Sequence, residues 1–140
     1  MKKSKGFTLV ELIIVIIVVG ILALVSVPIY RGHVERAVAA EGKALVVEIA
    51  AAQEIYKTRT QSWYTADPDA STGYVVEDLG IDPRKNSYFR SFKYDMGDTT
   101  FKKFTVETSG EAGTKAEGMT IVLTWYDDAP SVVTLNGKQI

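Results

Sequence analysis

An α+β fold, with one long N-terminal helix packed against a small antiparallel β-sheet, is predicted by three features of this 140-residue sequence. From Phe7 to Tyr30 the only charge is Glu11, and Leu12 to Val25 is apolar throughout. Val34, Val38, Leu45, Ile49, Ala52 and Tyr56 then recur at helical spacings, one apolar stripe with charged and polar residues on the other faces. After Tyr88 come four runs rich in aromatic and β-branched residues, separated by turn-forming residues.

Composition narrows the functional classes. The net charge of -1 supplies no basic field for nucleic acid or anionic lipid. With no cysteine, a disulfide framework, a thiolate metal site and cysteine catalysis are all excluded.

The first element is the greasy run. About 20 apolar residues suffice to cross a bilayer as a helix, and the segment 7–30 is long enough. Lys2, Lys3 and Lys5 precede it, while Arg31, Glu35 and Arg36 leave little positive excess behind it, so the N-terminus is expected on the cytoplasmic side. A secretory signal would end at a small-x-small cleavage site and carry no acid in its core, whereas this run continues into "SVPIYRGHVER" and contains Glu11. A carboxylate within a membrane helix is costly unless it is paired, protonated or functional, which makes Glu11 a candidate functional residue. Pro28 lacks a backbone donor and is expected to kink or locally melt the helix, with Gly20 a second soft point.

The stretch "KGFTLVELIIVIIVVGILALVSVPIY", Lys5 to Tyr30, resembles the N-terminus of the type IV pilin superfamily, which includes the pseudopilins of type II secretion. The resemblance implies a leader peptide over 1–6, cut by a prepilin peptidase between Gly6 and Phe7, and N-methylation of Phe7. It also implies that Glu11 pairs with the Phe7 amine of a neighbouring subunit in a filament built by packing these helices. Each charge would relieve the desolvation of the other there. Loss of helical order around Pro28 on entering the filament is a further implication.

The second half of the helix, 31–59, is amphipathic and completes one helix over 7–59. Its stripe needs a cover, which the region 60–140 is expected to supply as a globular head: a connecting loop over 60–87 and an antiparallel sheet over 88–140. The strand candidates are "YFRSFKYDM", "FKKFTVET", "MTIVLTWY" and "SVVTL". The turns expected between them are Gly97 with Asp98, the glycine-rich stretch Ser109 to Gly118, and Asp127 to Pro130.

Catalytic chemistry is scarce. His33 is the only histidine and reads as a hydrated residue beside the membrane segment. "DPDASTGY" from Asp67 has acids at alternate positions but lacks the spacing of a calcium loop, and is read as a capped turn. Arg84, Lys85, Arg90, Lys93, Lys102 and Lys103 lie near Tyr88, Phe89, Phe92 and Phe101, but strand alternation alone places aromatics inward and lysines outward. No cofactor and no metal site is assigned, and nucleic acid is not firmly predicted as a partner.

The reading is of a structural subunit and not an enzyme: a single-pass inner-membrane precursor that assembles into a helical homopolymer outside the membrane, for adhesion, motility or DNA uptake. Its expected partners are itself, the inner membrane, the prepilin peptidase and the assembly machinery. A type II secretion pseudopilin and a minor pilin with a binding role are the alternatives.

Overall fold

The computed structural model describes residues 6–64, 79–95 and 103–140. Its order is a helix α1 (Leu9–Thr60), a 3-10 turn (Pro83–Lys85), then strands β1 (Phe92–Asp95), β2 (Lys103–Ser109), β3 (Thr120–Tyr126), β4 (Val132–Leu135) and β5 (Lys138–Gln139). The chain divides into two units, residues 1–34 and 35–140. The expected turn at Gly97 and Asp98, the residues from Asp67 to Tyr74, and Phe101 with Lys102 lie outside the described residues.

In the first unit, every large apolar side chain of α1 is exposed, from Leu9 to Tyr30. By length and composition α1 can cross a membrane. Pro28 lies inside α1, which is helical from Leu9 to Thr60. One proline removes one donor from a 52-residue helix, and the hydrogen bonds on either side keep the turns in register. Two residues earlier, the Ser26 hydroxyl donates to the Leu22 carbonyl at 2.7 Å, a local bond that needs no partner element.

In the second unit, α1 buries Val38, Ala39, Gly42, Leu45, Val46, Ile49, Ala50 and Gln53. The expected stripe is therefore present, with Val38, Leu45 and Ile49 at its centre and Val34, Ala52 and Tyr56 half-buried at its margins. Gln53 departs from expectation. Placed on a polar face by its chemistry, it is fully buried, its amide bonded to the backbone of Tyr64. Oε1 accepts from Tyr64 N–H and Nε2 donates to Tyr64 C=O, both at 3.2 Å. The helix ends at Gln61, whose left-handed φ of 60° stops the helical path while its N–H still donates to Lys57 C=O.

The sheet is a five-stranded antiparallel meander in chain order. Alternation decides its faces: Phe92 and Tyr94 of β1, Phe104, Val106 and Thr108 of β2, and Ile121 and Leu123 of β3 are buried. Lys93 and Lys103 are exposed, as the alternating pattern requires. Phe89 and Phe92 are thus core residues with no free ring face for a nucleic-acid base. At Gly42 helix and sheet meet so closely that a Cβ would fall 2.9 Å from the Phe89 ring and closer still to Ile121 Cδ1.

The sheet starts later than expected. Tyr88 and Phe89 precede β1, and both of their N–H groups donate to Glu41 Oε1 on α1, at 2.6 and 3.3 Å. The expected loop over 60–87 also contributes to the core through Trp63, Ile81 and Pro83. Trp63 packs 5.5 Å from Phe104 and 5.0 Å from Trp125, under the Lys57 ammonium at 4.2 Å. β5 is absent from the sequence expectation. It pairs with β4 across Asn136 and Gly137, both at positive φ, the turn chemistry that an Asn-Gly pair signals.

Candidate functional site at the helix start

The residues singled out from sequence, Gly6, Phe7, Glu11 and Pro28, belong to the first unit, and the structure brings Phe7 and Glu11 to one helix terminus. Gly6, Phe7 and Thr8 precede α1, and Phe7 is 91% exposed. Glu11 stands in the first turn of α1. Pro28 lies further along the same helix, exposed.

Sequence reasoning missed Thr8. Its hydroxyl accepts from Glu11 N–H at 3.2 Å, and Glu11 Oε2 accepts from Thr8 N–H at 2.8 Å and from the Thr8 hydroxyl at 2.9 Å. This is a reciprocal capping box, and its signal, Thr-x-x-Glu ahead of an apolar run, is plain in "TLVE". A helix start leaves backbone N–H groups without partners, and in an apolar environment each unsatisfied group costs several kcal/mol on the order-of-magnitude scale for hydrocarbon. The box satisfies two of them locally. It also sets a negative side chain at the positive end of the helix dipole.

The geometry fixes how Glu11 can be used. Oε2 is committed to Thr8, while among the described residues Oε1 has no partner. One oxygen therefore anchors the carboxylate to its own chain, and the other can accept from an external cation. Among the described residues no three His, Cys, Asp or Glu side chains are grouped to hold a metal ion. His33 is exposed on α1, beyond the greasy run.

Residues 1–27 match the family model described as the prokaryotic N-terminal methylation motif. The chain is 40% identical over 80 residues to a type IV major fimbrial protein FimA of Dichelobacter nodosus, covering 55% of this chain and 48% of that protein. It is 33% identical over 107 residues to the type IV major pilin protein PilE1 of Neisseria gonorrhoeae, covering 76% of this chain and 55% of that one. A shorter match, 54% identical over 37 residues, is to the fimbrial protein EcpB of Eikenella corrodens, covering 26% and 23%. The chain spans about half the length of the relatives it matches. A methylation motif at the helix start, relatives named as fimbrial and pilin proteins, and a long helix joined to an antiparallel sheet agree with one another, and the chain belongs to the type IV pilin superfamily.

Proposed function

We infer that the chain is a structural subunit of a type IV pilus. The observation that carries this reading is a helix apolar on every face, exposed along its whole greasy length, and interrupted only by a carboxylate with one oxygen uncommitted. Such a surface needs a bilayer in the precursor and other copies of itself in a polymer. The similarity to fimbrial and pilin proteins supports the same conclusion.

In this reading the leader 1–6 is removed between Gly6 and Phe7 by a prepilin peptidase at the inner membrane, and the new Phe7 amine is methylated and keeps its charge. Glu11 Oε1 then accepts from the Phe7 amine of a neighbouring subunit, while Oε2 stays on Thr8. In a low-dielectric helix bundle the two charges offset each other's desolvation, and either one alone would be left unpaired. The pair sets the stagger between subunits. The role is structural and not enzymatic.

Mass spectrometry of filaments sheared from the native host tests the reading. The expected species begins at Phe7 and carries one N-methyl group. Filament protein that begins at Met1, or at any residue within the greasy run, would overturn it.

A further inference from the structure

A cleft of about 550 Å³ in the second unit is lined, among the described residues, by Arg84, Arg90, Ser91, Ser109, Gly110 and Glu111. Its position follows from the fold. The N-cap Asp82 orders the 3-10 turn that carries Arg84, by accepting from Arg84 N–H at 3.1 Å. Ser91 and Ser109 stand one residue beyond the Phe92–Thr108 pair, where the β1–β2 ladder ends. The Thr108 hydroxyl holds the Ser91 carbonyl at 2.6 Å, and Glu111 N–H donates to Tyr88 C=O at 2.9 Å, so both strands are pinned at the cleft.

The two guanidinium groups are not equivalent. Arg84 is clamped by Asp82 through Nε at 2.8 Å and Nη2 at 3.0 Å. Among the described residues, Arg90 is engaged through Nε, which donates to Asn86 C=O at 3.2 Å and pairs with Glu111 Oε2 at 3.2 Å. Among the described residues, no acceptor sits on either terminal nitrogen of Arg90. That outer pair of nitrogens is the planar fork that matches a carboxylate with two parallel hydrogen bonds.

We propose that this cleft binds a carboxylate-bearing saccharide of the uronic acid type. The ligand carboxylate takes the terminal fork of Arg90, and its hydroxyls face Ser91, Ser109 and the Glu111 carboxylate, an arrangement of donors and acceptors suited to a sugar ring. Asp82 and Glu111 decide against other anions. Among the described residues they pair one for one with Arg84 and Arg90 and leave only Lys85 beside them, less positive charge than a phosphate dianion or a nucleic-acid backbone draws on. A single carboxylate, recognised by geometry, tolerates that balance.

The test uses the full chain in detergent micelles, titrated separately with sodium glucuronate, glucose and inorganic phosphate, with the amide resonances of Ser91, Ser109 and Gly110 as reporters. Saturable shifts with glucuronate alone are expected. Arg90→Gln should weaken that binding by about tenfold, the worth of one charge-assisted hydrogen bond. Arg90→Lys, which keeps the charge and loses the fork, should stay weakened, and both variants should melt with the parent because Arg90 is exposed. Absence of saturation with glucuronate, equal response to glucose or phosphate, unchanged affinity in Arg90→Gln, or full recovery in Arg90→Lys would each overturn the proposal.

Discussion

The two stretches of α1 share one secondary structure and differ in what each requires of its surroundings. From Leu9 to Tyr30 the large apolar residues are exposed on every face. From Glu35 onward, burial alternates around the helix: Leu45, Val46, Ile49 and Ala50 face the sheet and are buried, whereas Ala44, Val47, Glu48 and Ala51 are exposed. A helix with one apolar stripe finds its cover within its own chain. A helix that is apolar all round needs lipid or other subunits. The first stretch therefore leaves its apolar surface exposed, and the second contributes to the stability of its own unit.

The largest effect that separates the two stretches is expected at Glu11. Glu11→Leu removes the capping box and the charge together, and filaments should disappear while the inserted, cleaved subunit accumulates in the membrane. Glu11→Gln sharpens the distinction, since glutamine can retain the reciprocal bonds with Thr8 and lose only the charge. If charge pairing sets the stagger, Glu11→Gln cells should also lack filaments. Wild-type filament numbers from Glu11→Gln would reduce Glu11 to a helix cap, and loss of cleavage would mean that the carboxylate serves the peptidase.

Next in size is Ile49→Ala, expected to destabilise the second unit by about 2–5 kcal/mol, because a fully buried side chain is truncated. Ile17→Ala, in the exposed run, should leave the melting midpoint of that unit unchanged. Thermal denaturation in micelles reads both. Equal shifts from the two substitutions would abolish the division of roles between the stretches.

A smaller effect is expected at Gln53. Replacing it with leucine keeps the volume but leaves Tyr64 N–H and C=O without the amide that pairs with them, at a cost of about 1–3 kcal/mol. Because these bonds tie the chain after α1 back onto the helix, hydrogen exchange at Tyr64 should rise more than exchange at Val106 in the sheet. Equal increases at both would show that Gln53 acts on the whole core and not on this tie.

Much was decided by sequence alone. The apolar run, broken only by Glu11, dictates a helix long and apolar enough to cross a membrane. The spacing of Val38, Leu45 and Ile49 orients the second stretch, and period-two alternation sorts Phe92, Phe104 and Ile121 from Lys93 and Lys103. The capping box is equally local, written in the four residues Thr8 to Glu11, and Asn136-Gly137 announces the last hairpin. Each follows from chain geometry over a few residues.

Tertiary structure alone decided which polar groups change roles. Gln53 is buried because its amide meets the N–H and C=O of Tyr64, and Glu41 is committed because Tyr88 and Phe89 enter the fold with their N–H groups facing α1. Nor could local patterning place Arg90 beside Ser109 and Glu111, which only the β1–β2 pairing brings to one cleft. Hydrogen-bond demand of this kind arises between segments distant in sequence, and it overrides the intrinsic polarity from which a single side chain is assigned to a face.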